Sequence, residues 1–307
     1  MDEHRRGLIF GAAAYTIWGL FPVYWPLLQP AGAVEILAHR MTWSLAFVAV
    51  LLCVRPRRGW WAALRTRPRS IGLLAIASLI IAGNWGTYIW AVNAGHVVET
   101  ALGYYINPLV TVLVGVLVLG ERLNRVQWLA MGVATVAVVV LTLDYGRPPW
   151  VAFTLALTFT AYAFCKKKAA VGAIESLAVE TTVAAPLALG YLVWLQLNGT
   201  AAFGHTGGGK AFLLAGAGVV TAIPLLMFAA AATRVSLTML GLLQYIAPTL
   251  QLLLGVLVFR EPMPPGRLVG FGIVWLALVI FTWDGIRRRR RVSLTEPGTV
   301  PASTPAR

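Results

Sequence analysis

One stretch of this chain is written twice. Residues 103–121, GYYINPLVTVLVGVLVLGE, return 140 positions later as LQYIAPTLQLLLGVLVFRE at 243–261, with nine of nineteen positions identical. The matches include Tyr105 with Tyr245, Ile106 with Ile246, Pro108 with Pro248, Gly115 with Gly255 and Glu121 with Glu261. The same offset pairs Gly132 with Gly272 and Asp144 with Asp284, so the echo outlasts a single element. Whatever the first copy folds into, the second copies, and the fold has to seat one against the other.

The medium of that fold follows from how little charge the chain carries. It is 59% hydrophobic and 12% charged, with mean hydropathy +0.76, whereas a soluble domain carries about 25% charged residues. Ten apolar stretches stand out, at 8–28, 33–54, 71–93, 98–119, 125–143, 149–165, 175–197, 210–232, 236–259 and 266–284. Each is close to the ~17–25 residues that cross ~30 Å of hydrocarbon as a helix. The chain therefore reads as an all-α integral membrane protein of ten spans. Its first stretch holds Trp18, Phe21, Pro22 and Trp25 and no clear small-residue cleavage site, so it reads as a permanent span rather than a signal peptide.

The formal charge of +14 would suit a nucleic-acid binder if it formed a patch, but it is distributed by membrane side. With the N-terminus in the cytoplasm, 20 of the 25 basic residues fall in cytoplasmic segments, among them Arg5, Arg6, Lys166 to Lys168 and Arg287 to Arg291. Four fall outside, and Arg40 lies within a span. That asymmetry places both termini in the cytoplasm. Basicity here marks topology and contact with anionic membrane lipids, with no nucleic-acid partner.

Five spans separate the two copies, and an odd number of crossings turns the second copy upside down. The expected organisation is a first five-helix repeat at 1–145, an inverted second repeat at 146–286 and a basic, disordered tail at 287–307. Membrane proteins built this way place a small-molecule substrate near the bilayer midplane, between the halves.

Ionisable groups inside a span cost on the order of 2.5–3.5 kcal/mol at a helix centre, so those present call for a reason. The second span holds Glu35, His39, Arg40 and Trp43. Glu35 and His39 share a face at i and i+4, a pair able to handle a proton, while Glu35 is also near enough to the end to anchor the interface. His39 and Arg40 either read an anionic or polar solute or lock helices together. Asn84, Trp85 and Tyr88 in the third span suit an amphipathic solute in an apolar pocket. In the fourth span Gly103, Asn107, Thr111 and Gly115 form a stripe that a second helix or a solute can approach closely, and Gln251 lies on the matching stripe of the ninth. Pro108 and Pro248 remove helical hydrogen bonds and free the carbonyls of Tyr104 and Gln244, as static bends or as gates. Glu99 reads as interfacial, and the Gly-rich connection at 198–209 as mobile.

The segments EILAHRMTWS (35–44), GNWGTYIWAVNAGHVVETALGYYINPL (83–109), GERL (120–123) and LLQYIAPTLQLLLGVLVFREP (242–262) together resemble the RarD branch of the EamA-type transporters, in the drug/metabolite transporter superfamily. The resemblance covers residues 7 to 284. It implies ten helices in two inverted repeats, a bacterial inner-membrane location, and export or exchange of a small metabolite or drug-like solute. By matching motif it assigns importance to His39-Arg40, Asn84-Trp85, Asn107-Pro108, and Tyr245 and Pro248, with Gln244 beside them as a further candidate for the solute site or gate.

The chain has no phosphate-binding Walker loop, so transport would be secondary, driven by a gradient or by exchange. It shows no metal-ligand spacing and no cofactor motif, and no nucleophile elbow joins Glu35 and His39 to make an enzyme. The rival classes are a receptor or scaffold, which predicts binding without flux, and an intramembrane enzyme using Glu35 and His39, which predicts a chemically changed solute. Oligomeric state is not specified by these features.

Overall fold

The computed structural model describes residues 3–295 apart from 55–58, 120–121, 233, 236–238 and 240–242, and all regular structure among the described residues is helical. Glu121 and residues 296–307 lie outside the described residues. Helix α1 (Glu3–Gly19) gives way to α2 (Phe21–Tyr24) and a 3₁₀ turn at Trp25–Leu28. There follow α3 (Ala33–Val54), the short α4 (Trp60–Arg65), α5 (Pro68–Asn93), α6 (Val97–Leu119) and α7 (Arg125–Tyr145). The second half supplies α8 (Trp150–Ala169), α9 (Ala173–Leu197), α10 (Gly208–Ala232), α11 (Ile246–Leu253) with a π turn at Leu254–Val258, and α12 (Pro265–Thr295).

Seven of these helices are long and apolar enough to cross a membrane, and an eighth forms if α1 and α2 with its 3₁₀ turn, bent by 40°, make one span. The bend falls where Pro22 and Pro26 each withhold a backbone N–H at a helix start. Trp150–Lys166 and Ile246–Val258 are shorter apolar helices. Leucine, valine and tryptophan side chains on the outer faces of α7, α9 and α12 remain exposed, for example Leu143, Leu197 and Trp283. In lipid such a surface needs no polar cover.

The most extensive helix contacts run between the two halves. Helix α1 packs on α10 and α11, and α8 on α5 and α6; α3 packs on α10 and α9 on α5. Exchanging α1 with α8, α3 with α9, α5 with α10 and α6 with α11 turns each of these contacts into another. The remaining pairs, α3 with α9, α6 with α11 and α7 with α12, join a helix to its own counterpart. Direction is fixed in the last pair by two aspartates. Asp144 near the end of α7 accepts from Nε of Arg267 in the first turn of α12 at 3.1 Å. Asp284, late in α12, accepts at 2.6 Å from Nδ2 of Asn124, the N-cap of α7. The two helices therefore run antiparallel.

Several carboxylates close helix ends. Glu261 accepts from the Val97 and Val98 N–H groups at 2.5 and 2.9 Å, so a residue of the second half satisfies orphan donors at the start of α6. Its own carboxyl is raised above the ordinary glutamate value by burial, while those two N–H groups, His96 and Arg267 pull it back. Glu99 departs from the interfacial position its sequence suggested: it is 1% exposed, accepts from Val151 N–H at 3.0 Å and pairs with Arg147 at 2.8 Å. The start of α8 needed an acceptor, and Glu99 reaches across to supply it.

Two further expectations differ from the structure. The last helix continues through the arginine run to Thr295 rather than yielding at 287 to a disordered tail. The 198–207 connection is tied down: Ala201 and Ala202 are buried, and Gln196 Nε2 donates to the Phe203 carbonyl at 2.9 Å.

Candidate functional site

Arg40 stands two turns into α3 and is 2% exposed. Its guanidinium lies over the Trp85 ring with the carbon 3.7 Å from the centroid, and within 5.3 and 5.5 Å of the Trp25 and Phe21 rings. Tyr88 and Tyr104, whose own rings meet edge to face at 5.8 Å, lie within electrostatic range of it. Four elements thus converge on one cation: α2 with its 3₁₀ turn, α3, α5 and α6. Neither Nε nor Nη1 of Arg40 has an acceptor, and the Trp25 Nε1–H and Tyr88 hydroxyl are also buried without partners.

The buried carboxylates among the described residues are Glu35, Glu99 and Glu180, and each is engaged elsewhere. Glu35 Oε1 accepts from the Ala202 and Phe203 N–H groups at 2.8 and 3.2 Å. Glu99 holds Arg147 and Val151. Glu180 accepts from Ser176 Oγ at 2.5 Å and Tyr162 hydroxyl at 3.0 Å, and pairs with Lys166 Nζ at 3.0 Å. Ring contacts alone stabilise a desolvated guanidinium by roughly 2 kcal/mol. Removing a charge from water costs several kcal/mol. Desolvation wins, so the cradle as it stands is short of an acceptor.

Trp85, which stacks on Arg40, also lines a small cavity. Met41 and Ser44 of α3, Ser78, Ile81 and Trp85 of α5, and Leu177, Glu180, Thr181 and Ala184 of α9 line that cavity. One side of it belongs to the first half of the chain and the other to the second. The α3–α10 side is closed by backbone approach: a Cβ on Gly218 would come within 2.3 Å of the Trp43 carbonyl carbon and 2.5 Å of Ser44 N. Only a residue without a side chain fits there.

The other residues singled out from sequence have separate surroundings. His39 accepts from Trp43 Nε1 at 3.3 Å through Nδ1 and lies against Phe203 with ring centroids 4.7 Å apart and planes tilted by 33°, while its Nε2 is buried without a partner. Asn84 Nδ2 bridges to the Leu155 carbonyl at 2.9 Å and Thr158 Oγ1 at 2.8 Å, tying α5 to α8. The stripe of α6 meets a helix: Gly103 sits against Ala152, and Asn107 Oδ1 and Thr111 Oγ1 each lie 3.1 Å from Thr160 Oγ1 of α8. Gln251 donates to the Trp18 carbonyl at 3.3 Å. Tyr245 stacks on Tyr105 at 6.4 Å, beside Gln244 and away from the arginine. Pro108 is inside α6, whereas Pro248 occupies the first turn of α11, one turn after the break at 244–245. Glu35 and His39 share a helix face as expected, yet the carboxylate spends itself on the 198–207 connection.

Phe21, Trp25 and Tyr104 complete the cradle without standing out in the sequence as parts of it, and Glu180 does not stand out there at all. Glu180 was within reach of the repeat. EILAHRMT at 35–42 aligns with ESLAVETT at 175–182, sharing Glu, Leu, Ala and Thr, and the offset of 140 sets Arg40 against Glu180. The aromatic box could not be read the same way, because it joins residues from three separate parts of the chain.

The EamA-like transporter family matches residues 5–143. The chain is 55% identical to Protein RarD of Streptomyces exfoliatus, over 100% of this chain and 98% of that protein. It is 46% identical to an uncharacterized transporter of Pseudomonas aeruginosa, over 96% of this chain and 98% of the other. A crystal structure at 19% identity superposes with a TM-score of 0.59, covering 89% of this chain and 96% of its own, which shows a shared fold. With relatives this similar along their full length and a multi-helix apolar bundle to match, the chain belongs to the RarD branch of the EamA-like transporters and is a multi-pass membrane transporter.

Proposed function

We propose that this protein is a secondary carrier that moves a small organic solute, a metabolite or drug-like compound, by alternating access across the bacterial inner membrane. Its two inverted five-helix halves, with both termini cytoplasmic, rock against each other around the Arg40 cradle and export or exchange the solute. The observation that carries this reading is the buried, acceptor-poor guanidinium of Arg40, stacked on Trp85, which also lines a cavity shared by the two halves. Contacts that map onto themselves when the halves are exchanged support the repeat, and the antiparallel α7–α12 pair supports its inversion.

His39, Arg40, Trp85 and Tyr88 are the residues that would meet the solute. Asn84, Asn107, Thr111 and Gln251 hold the helices that carry them. Gln244 and Tyr245 lie where α6 meets α11 and would move with the gate. Glu35 secures the 198–207 connection over His39, which keeps that end of the site shut.

Purified protein reconstituted into liposomes tests the reading. Vesicles are bathed in a uniformly ¹³C-labelled bacterial extract, and the labelled solutes that enter are identified by mass spectrometry against protein-free vesicles. A carrier admits a small set of solutes, unchanged and saturably. Entry of none refutes transport, and entry only of chemically altered solutes points to an enzyme.

A further inference from the structure

The chemical class of the solute follows from which partners the cradle lacks. Arg40 Nε, Arg40 Nη1, Trp25 Nε1 and the Tyr88 hydroxyl are all buried and unpartnered, and all four can donate. Nε and Nη1 lie on different edges of the guanidinium, so an approaching acceptor finds donors from either side. Buried donors in a native protein are met as a rule, and an unmet set converging on one place marks a missing acceptor. Among the described residues no buried carboxylate supplies it, since Glu35, Glu99 and Glu180 each hold other partners.

Charge balance narrows the acceptor further. The aromatic cradle contains one cation, and the neighbouring Lys166 is already neutralised by Glu180 at 3.0 Å. A monoanion leaves the buried pair neutral, whereas a phosphate dianion would leave an uncompensated negative charge among aromatic rings. A planar carboxylate also offers two oxygens for a guanidinium and neutral N–H or O–H donors at once. Trp85 stacks at 3.7 Å on one face of the guanidinium, which leaves approach along its edges.

We infer that the Arg40 cradle binds the carboxylate of a singly charged organic anion, with Arg40 as its counter-ion and Trp25 Nε1–H and Tyr88 O–H as the neutral donors. This rests on the carrier reading above and assigns its substrate class. Arg40→Gln should lower exchange at least about 30-fold, the loss that follows removal of one member of a buried charge pair. Arg40→Lys keeps the charge without the fork and should retain part of the activity. Trp25→Phe and Tyr88→Phe each remove one neutral donor and keep the ring, for a loss of about 3- to 10-fold.

The test uses the same labelled extract and sorts the solutes that enter by net charge. Monocarboxylates that enter wild-type vesicles, fail with Arg40→Gln and partly return with Arg40→Lys support the assignment. Entry of neutral, cationic or phosphorylated solutes instead overturns the substrate class and leaves the carrier standing. Monocarboxylate entry that is the same in Arg40→Gln overturns the role of Arg40. Should Arg40→Gln fail to fold, the charge class of the wild-type solutes still decides. Entry of nothing at all removes the carrier reading itself.

Discussion

Tyr105 and Tyr245, equivalent residues of the two copies, stack on each other with ring centroids 6.4 Å apart and planes at 21°. A residue that touches its own counterpart lies near an axis relating the two halves. The same is true of the helices that touch their counterparts: α3 with α9, α6 with α11, and α7 with α12. Arg40 and Glu180 are equivalent as well, but one faces aromatic rings and the other Lys166, Tyr162 and Ser176. The duplication shows in these pairings, and Arg40 and Glu180 are where the two copies diverge in charge.

Arg40→Met separates reading a solute from locking helices. If Arg40 is a counter-ion awaiting an anion, replacing it by an apolar side chain of similar length leaves thermal stability unchanged or raised, because an uncompensated buried charge is gone. Exchange is abolished all the same. A structural lock would instead lose about 3–5 kcal/mol on the change. Melting of the purified protein together with vesicle exchange decides between them.

Glu35→Ala strands the Ala202 and Phe203 N–H groups, each at a cost of about 1–3 kcal/mol if left buried. Limited proteolysis should then cut within 198–207 at protease concentrations that spare the wild type. Unchanged protection would mean that other contacts hold that connection.

Gly218→Ala places a methyl group 2.3 Å from one backbone atom of α3 and 2.5 Å from another, neither of which can swing aside. The expected cost is about 1–3 kcal/mol or more, seen as a lower melting temperature. An alanine variant that melts with the wild type would show that α10 and α3 do not approach this closely.

Glu261 ties stability to pH. Burial raises its carboxyl above 4.5, so the folded chain holds this proton to higher pH than the unfolded chain does. The contribution is full below 4.5 and is lost as pH rises through the raised value, because the native state there binds more protons. Melting temperatures followed upward from pH 4.5 should fall more steeply for wild type than for Glu261→Gln. Equal slopes would contradict the assignment.

Membrane residence, the helical stretches and the repeat were legible because each depends on local composition or on one copied segment. The burial of Arg40 was legible too, since a charge in an apolar span always needs explaining. The jobs of Asn84, Asn107 and Thr111 were less so: one pattern of small and polar residues serves a solute or a neighbouring helix, and the structure shows α8 against all three. Glu99 misled because closeness to a span end says little about depth. Its burial depends on Arg147 and Val151, about fifty residues away in sequence.

Trans-acceleration tests alternating access most directly. Labelled extract is presented outside vesicles that contain either the unlabelled extract or buffer alone. A carrier whose empty site reorients slowly admits labelled solute faster into the loaded vesicles, and Arg40→Gln loses the difference while remaining folded. Entry at one rate whatever the vesicles contain, or no faster than into protein-free vesicles, would contradict a site exposed alternately to the two sides.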